Sequence, residues 1–326
     1  MGGVRRCGRG RHTAAEAAGG GTRGHSGGRH ERGRSTRHDH VERRAGVRRT
    51  AGIRRVRLVA AVPTEDSAAG YFSVGGKTAL VTGGSRGIGY MIASGLVDAG
   101  ARVLVSSRKP DAVEAAANEL ARRGDCRAVV ADVATGEGRH ALSDAVQQYA
   151  GGALDVLVNN AGATWGAPID EFPEHGWDKV LDTNVKGVFQ LTVALLPALR
   201  AAATSADPAR VINIGSTAGL VVPELDNYSY SASKAAVHML TRHLARHLAA
   251  EAVTVNAVAP GWFETPMSRH LLDDPEHRAR LLEQIPLART GEPGDIAGIV
   301  QFLASRAGSY LTGTVIPLDG GVSGCS

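Results

Sequence analysis

The stretch TALVTGGSRGIG, Thr78 to Gly89, decides the fold class of this chain. Its first five residues are mostly apolar, as in a short buried strand. A turn follows in which Gly83, Gly87 and Gly89 have the spacing G-x-x-x-G-x-G, and apolar residues at helical spacing come after it. Glycine allows the main chain to approach a pyrophosphate closely at the N-terminus of a helix. The stretch therefore predicts a strand, a dinucleotide-binding turn and a helix.

The turn also predicts which residues would contact the dinucleotide. It lacks the Gly-Lys-Ser/Thr sequence of a P-loop, so a mononucleotide triphosphate site is not indicated. We expect contacts from Gly83, Ser85, Arg86, Gly87, Ile88 and Gly89.

Six further apolar runs of strand length follow, and helical stretches separate them. They are Arg102–Ser106, Arg127–Ala131, Asp155–Val158, Val211–Ile214, Val253–Val258 and Thr314–Leu318. Helical periodicity is clearest over 174–201, 230–250 and 293–304. Apolar strands that alternate with helices indicate a parallel sheet covered on both faces. The predicted fold is α/β: a Rossmann-type, doubly wound, seven-stranded parallel sheet with helices on both faces, forming a single domain over residues 72–326.

The charge of the chain is concentrated at its N-terminus. Residues 1–60 contain 16 Arg, no Lys and 4 acidic residues, whereas the rest of the chain has 21 basic and 28 acidic residues. Residues 1–71 have almost no apolar periodicity and are predicted to be a disordered Arg/Gly-rich extension. Three explanations stay open: a nucleic-acid-binding arm, a transit peptide, or a translation start assigned too far upstream in a G+C-rich gene, which is the one we favour. The acidic remainder argues against a nucleic-acid groove.

The cysteine content and hydropathy favour a cytoplasmic protein. Cys7, Cys126 and Cys325 are far apart and form no C-x-x-C pair, which fits a reducing compartment. No apolar run approaches 18 residues, so no membrane span is predicted. His243 and His247 have metal-ligand spacing, but Arg242 and Arg246 beside them would oppose a cation, so no metal is expected.

The residues after the second strand indicate the type of dinucleotide. An acidic residue there would bind the adenosine ribose of NAD. Instead the sequence reads Ser106-Ser107-Arg108-Lys109. Arg108, together with Arg86, could pair with a 2′-phosphate. NADP(H) is therefore favoured over NAD(H).

Tyr230 and Lys234 form a candidate acid/base pair. They are four residues apart, so on a helix they share a face, whereas Tyr228 does not. An adjacent ammonium lowers the pKa of a phenol, which ordinarily ionises near pH 10. The spacing alone leaves open a surface tyrosine beside a solvated lysine. If the pair is an acid/base unit, Tyr230 exchanges a proton with substrate and Tyr228 lines the opening of the site.

Taken together, these motifs resemble the short-chain dehydrogenases/reductases. The features that carry the resemblance, in order along 72–322, are TGGSRGIG, Asn159-Asn160-Ala161-Gly162, Ser216, Tyr230-x-x-x-Lys234 and Pro260-Gly261 before Thr265. Within that family the chain most resembles β-ketoacyl (3-oxoacyl) reductases of the rhamnolipid-pathway type. Thr164-Trp165-Gly166 and the run Pro208 to Ser216 carry this closer likeness.

The resemblance implies roles for the matching residues. Tyr230 would be the general acid/base, Lys234 would lower its pKa and hold the nicotinamide ribose, Ser216 would bind the reacting carbonyl, and Asn184 would position a relay water. Further cofactor contacts would come from Asp132, Val133, Asn159, Ala161, Gly162, Pro260, Gly261, Phe263 and Thr265. The resemblance also implies a homotetramer.

The substrate is less narrowly indicated. The lid-like stretch 262–290 is apolar, with Trp262, Phe263 and Met267 among its residues. It predicts a small-molecule ketone or alcohol, and a 3-oxoacyl thioester in particular, although the apolar face could instead pack on the protein. The alternatives are a dehydrogenase of another alcohol, such as a steroid or sugar, and a catalytically silent dinucleotide-binding regulator.

Overall fold

The computed structural model describes residues 68–325. The prediction of disorder therefore falls almost wholly on residues outside the described part. The first helix, α1 (Ala68–Tyr71), begins four residues before the predicted domain boundary. It is followed at once by Phe72, whose ring packs against Phe302 with centroids 6.3 Å apart. Residues 68–71 therefore form a helix that leads directly into the folded domain.

The sheet has the seven predicted strands. They are β1 (Thr78–Thr82), β2 (Arg102–Ser107), β3 (Cys126–Val130), β4 (Val156–Asn159), β5 (Ala209–Ile214), β6 (Val253–Pro260) and β7 (Val315–Leu318). All pairs are parallel, in the order β3-β2-β1-β4-β5-β6-β7. The order reverses between β1 and β4, and ligands bind at such a crossover, outside the carboxyl ends of the strands. This position is where TGGSRGIG and the residues after β4 meet.

Helices cover both faces of the sheet. They are α2 (Gly87–Asp98), α3 (Pro110–Leu120), α4 (Gly136–Ala150), α5 (Glu174–Leu181), α6 (Gly187–Ala202), α7 (Tyr228–Leu248), α8 (Arg269–Leu272), α9 (Pro275–Glu283) and α10 (Pro293–Ala304). The predicted helix over 174–201 is interrupted: residues Asp182–Lys186 form a π-helical turn between α5 and α6. Single π turns of this kind are frequent at functional sites.

The core consists of two layers, because alternate residues of each strand face opposite sides of the sheet. In β1, Ala79 and Val81 face the layer formed with α2, α3 and α10, whereas Leu80 faces the layer formed with α4, α6 and α7. All five residues of β1 are buried. This two-sided burial explains why the strands are uniformly apolar instead of alternating with polar residues.

One helical stretch among the described residues is long and apolar enough, by length and composition alone, to cross a membrane. It is Glu174–Ala202, with a mean hydropathy of 1.3 over its best 18 residues. Within it, Leu191, Leu195 and Leu199 are fully buried against the sheet. Only 33% of that 18-residue window is buried, and Phe189 and Val193 of α6 are exposed.

Candidate active site

The glycine-rich turn has the geometry that a dinucleotide phosphate requires. Gly83 and Gly87 have positive φ values of 66° and 56°, which glycine adopts readily. A Cβ at Gly89 would overlap the carbonyl oxygen of Gly83 and the side chain of Asn160. Helix α2 begins here, and its extended N-cap residue, Arg86, makes no side-chain cap hydrogen bond. The main-chain N–H groups at this helix end are thus available to an anion, as a pyrophosphate site needs.

Asn160 joins the glycine-rich turn to the segment after β4. Its Nδ2 donates to the carbonyl oxygens of Thr82 at 2.8 Å and Gly83 at 3.2 Å. In return, Thr82 Oγ1 accepts from the main-chain N–H groups of Asn160 and Ala161, both at 3.0 Å. Neither Asn160 nor Thr82 has a role that is predicted from the sequence. The structure shows that they hold the two cofactor-facing segments together.

Asn159 has a different position from the one expected for a cofactor contact. Its side chain is buried and donates to Asn213 Oδ1 at 2.9 Å and to Thr192 Oγ1 at 3.2 Å. Both amide hydrogens are therefore used within the protein, so only the main chain of Asn159 is left for a cofactor. The reason is strand alternation: Asn159 shares a face with Leu157, which packs toward α6.

Arg108 and Asp132 come together at the adenosine end of the predicted site. Arg108 Nη1 lies 3.7 Å from Asp132 Oδ2 across the ends of β2 and β3, and both side chains are partly exposed. Asp132 Oδ1 also accepts from the N–H of Ala134 at 3.0 Å, which fixes the carboxylate. Val133 is buried in the core, so its contribution to binding would be through the main chain. Arg86, in the glycine-rich turn before α2, is also exposed.

The segment after β6 closes the other side of the site. A Cβ on Gly87 would lie 3.4 Å from Thr265 Cβ, so Thr265 faces the glycine-rich turn directly. Pro260 ends β6, and Gly261 lies so close to Asp319 that a Cβ would come within 2.8 Å of it. The ring of Phe263 is buried against Gly291, where a Cβ would overlap it. Contacts to a nicotinamide would therefore involve the main chain of Phe263.

Ser216, Tyr230 and Lys234 converge at the carboxyl end of β5. The Ser216 hydroxyl lies near enough to the Tyr230 phenol to lower its pKa. Lys234 Nζ lies 5.5 Å from the centroid of the Tyr230 ring and donates to the carbonyl oxygen of Ile214 at 2.8 Å. The helical spacing of Tyr230 and Lys234, predicted from the sequence, places both on the face of α7 that meets β5.

The protonation of this group differs from the sequence-based expectation. Burial raises the pKa of Tyr230, and the adjacent Ser216 hydroxyl opposes this rise only in part, so the pKa shifts in the direction opposite to the expected lowering. Burial also lowers the pKa of Lys234 to about 8, because the charged form loses hydration. The ammonium is bonded to a carbonyl and not to the phenol. The phenol is consequently held protonated, the form that can donate to a carbonyl oxygen.

Asn184 lies in the π turn, and both its amide oxygen and its amide nitrogen are hydrogen-bonded within the protein. Its Oδ1 accepts from the N–H of Ala163 at 2.8 Å, and its Nδ2 donates to the Ala163 carbonyl and to Ser233 Oγ, both at 2.9 Å. A Cβ at Gly162 would be 3.3 Å from Asn184 Oδ1 and 3.9 Å from Lys234 Nζ. Asn184 and Lys234 thus both lie against Gly162, and because the Asn184 side chain is used within the protein, a water there would have to be bound by its main chain.

The remaining candidates lie away from this centre. The rings of His243 and His247 are 5.0 Å apart on the exposed side of α7. Within residues 68–325, no cluster of three or more His, Cys, Asp or Glu side chains could hold a metal. The Tyr228 hydroxyl donates to Asp226 at 2.8 Å, and its ring packs against Phe172 with centroids 5.7 Å apart, so its polar group is paired with a residue other than Tyr230.

Comparison with known proteins agrees with this arrangement. Residues 83–323 match a family model described as enoyl-(acyl carrier protein) reductase. The rhamnolipids biosynthesis 3-oxoacyl-[acyl-carrier-protein] reductase of Pseudomonas aeruginosa is 47% identical over 251 residues, which are 77% of this chain and 98% of that protein. The FabG 3-oxoacyl-[acyl-carrier-protein] reductase of Staphylococcus epidermidis is 41% identical over 249 residues, covering 76% and 98%.

Solved structures with the same fold extend the comparison. The Pseudomonas aeruginosa RhlG/NADP active-site complex has a TM-score of 0.76 and 46% identity, covering 78% of this chain and 99% of the other. A gluconate 5-dehydrogenase from Burkholderia cenocepacia, in complex with NADP and tartrate, has a TM-score of 0.73 and 32% identity, covering 79% and 99%. Given this match in sequence, fold and arrangement of the site, the chain belongs to the short-chain dehydrogenase/reductase family and is an oxidoreductase.

Proposed function

We propose that this protein reduces a ketone to a secondary alcohol with NADP(H), and that its substrate is a 3-oxoacyl thioester. The observation that carries the reaction type is the convergence of Ser216, Tyr230 and Lys234 at the carboxyl end of β5. The identities of 47% and 41% to 3-oxoacyl-[acyl-carrier-protein] reductases support the substrate class.

Each residue of the group has a definite part in this proposal. The Ser216 hydroxyl donates to the substrate carbonyl oxygen, and the Tyr230 phenol gives that oxygen its proton. Lys234 and Gly162 face the position of the ribose, and Asn184 fixes the adjacent Ala163 main chain. When bound, the nicotinamide supplies the hydride. A phenol whose pKa is raised by burial stays protonated until the oxygen becomes basic, which suits reduction.

The charges near the adenosine end support NADP over NAD. Arg86 and Arg108 are exposed, and β2 is followed by no carboxylate that would repel a 2′-phosphate. Asp132 balances Arg108 at 3.7 Å, so a phosphate would compete with one carboxylate for the guanidinium. Two of the structures compared above are complexes with NADP.

The apolar surface around the site supports an acyl substrate, but it differs from the expected lid. Phe263 and Leu272 are buried, and Leu272 packs with Leu281, Ile285 and Trp262, so this part of the lid packs on the protein. Other apolar side chains are exposed: Met267 in the lid is 49% exposed, and Val222, between Ser216 and Tyr230, is 96% exposed. These two segments border the site, and we propose that they contact the acyl chain.

Measuring NADPH oxidation with a panel of ketones tests the proposal. The panel contains 3-oxoacyl thioesters of several chain lengths, steroid ketones and oxidised sugars, with gluconate-derived ketones included because a gluconate 5-dehydrogenase shares the fold. We expect the highest kcat/KM with the thioesters. Turnover of sugar substrates alone would reject the 3-oxoacyl assignment, and no turnover together with tight NADPH binding would favour the silent regulator.

We further propose a cytoplasmic homotetramer that acts without nucleic acid or membrane. Phe189 and Val193 on α6 and Met239 on α7 are exposed apolar residues, with Met239 61% exposed, and burial between protomers would remove them from water. Sedimentation velocity of the full chain and of a variant lacking residues 1–67 would test this. A monomer in both cases would reject the tetramer, and loss of activity on truncation would give the extension a role.

A further inference from the structure

His238 is a buried histidine on α7, the helix that also carries Tyr230 and Lys234. It lies on α7, one turn beyond Lys234 and two turns beyond Tyr230, and is only 3% exposed. Neither ring nitrogen has a hydrogen-bond partner of normal geometry among residues 68–325, although the Gly219 main chain is close enough to raise the pKa of the ring. Buried polar atoms in native structures almost always have partners, so an exception calls for an explanation.

The ring lies against the two glycines that flank Ser216. A Cβ at Gly215 would overlap His238 Nε2, and one at Gly219 would be 2.9 Å from His238 Cε1. Gly215 is itself held by its N–H, which donates to the carbonyl oxygen of Val258 at 2.7 Å. The main chain on both sides of Ser216 is therefore in contact with the ring. Any larger residue at Gly215 would displace either the His238 ring or the turn that carries Ser216.

The turn that carries Ser216 is otherwise held by short-range bonds. Ser216 Oγ accepts from the N–H of Ala218 at 3.1 Å, and the Ser216 carbonyl accepts from Gly219 at 3.0 Å. These bonds fix the shape of the turn but not its depth relative to α7. That depth is determined where α7 touches the strand end, at the Lys234–Ile214 hydrogen bond and at the His238 ring.

We propose that His238 is a positioning residue for Ser216: its uncharged ring supports the Gly215–Gly219 turn and thereby holds the serine hydroxyl within reach of Tyr230 and the substrate carbonyl. This inference rests on the proposed ketoreduction. The surroundings favour the neutral ring, because burial lowers the His238 pKa and the nearby Gly219 main chain offsets this only in part. The two charged groups that influence the ring, Lys234 and Arg242, are both positive and lower its pKa further.

A double-mutant cycle between His238 and Ser216 tests the proposal. We expect His238→Ala to lower kcat about tenfold to a hundredfold, with the Kd for NADPH changed less than about twofold, because the glycine-rich turn is elsewhere. On a Ser216→Ala background, the same change should lower kcat by no more than about twofold, since the hydroxyl that it positions is already absent. If His238→Ala lowers kcat by the same factor on both backgrounds, or weakens NADPH binding as much as it lowers kcat, the proposal is wrong.

A compensating pair provides a second test. Gly215→Ala should lower kcat because the new methyl group displaces the ring or the turn, and His238→Ala should restore part of that loss in the double variant. A double variant that is less active than Gly215→Ala alone would contradict the proposal. Should His238→Ala not fold, His238→Asn, which is smaller but also planar and uncharged, is used in both tests. A wild-type protein that reduces no ketone at all would instead refute the proposed function, independently of these comparisons.

Discussion

Replacing Lys234 by Met should stabilise the cofactor-free protein at neutral pH while removing its activity. Burial lowers the pKa of Lys234 from 10.5 to about 8, which corresponds to a penalty of about 3 kcal/mol for the charged form. The substitution also removes the hydrogen bond to the Ile214 carbonyl, 2.8 Å long, and leaving that acceptor unpaired costs about 1–2 kcal/mol. The net expectation at pH 7 is a rise of about 1–2 kcal/mol in the free energy of unfolding.

The lowered pKa of Lys234 makes the stability difference between wild type and the Met variant depend on pH. The folded protein releases the Lys234 proton near pH 8, whereas the unfolded chain retains it to pH 10.5. Between these values the unfolded state binds more protons, so the contribution of Lys234 to wild-type stability rises with pH. The advantage of the Met variant should therefore be greatest below pH 8 and disappear as pH approaches 10.

Urea unfolding, followed by tryptophan fluorescence at pH 7 and pH 9.5 and at one protomer concentration, measures this difference. Lys186→Met is the matched control: its side chain is 64% exposed and pairs with Asp182 on the surface, so we expect a change within about 0.5 kcal/mol. A Lys234→Met variant that is less stable than wild type at pH 7, or whose advantage is equal at both pH values, would show that burial of the ammonium is not costly here.

Three further expectations concern the site. Tyr230→Phe should lower kcat by about 10²–10⁴-fold in ketone reduction with NADPH affinity retained; stopped-flow turnover that matches wild type would exclude Tyr230 as the acid. Asn160→Ala leaves the Thr82 and Gly83 carbonyls without their donor, so we expect a loss of about 1–3 kcal/mol in NADPH binding by calorimetry, whereas unchanged binding would mean that the turn holds its shape unaided. Arg108→Glu should weaken NADPH about tenfold to a hundredfold and spare NADH; equal effects on both cofactors would place the 2′-phosphate elsewhere.

The strands and the first ligand-binding turn could be predicted from the sequence because their signals are local. A run of five apolar residues, or glycines at Gly83, Gly87 and Gly89, carries its own conformational preference. The four-residue spacing of Tyr230 and Lys234 likewise places them on one face of any helix. The uniform burial of β1 follows from the same pattern, since a strand apolar on both faces must be covered on both.

Contacts between segments distant in the chain were decided only by the tertiary structure. Asn160 and Thr82 are 78 residues apart, and which of Asn159 and Asn160 bonds to the glycine-rich turn depends on how β4 pairs with its neighbours. The protonation of Tyr230 and Lys234 depends on burial, a property of the folded environment that spacing along the chain does not contain. The contact of His238 with the glycines around Ser216 has the same origin, because it exists only where α7 crosses the end of β5.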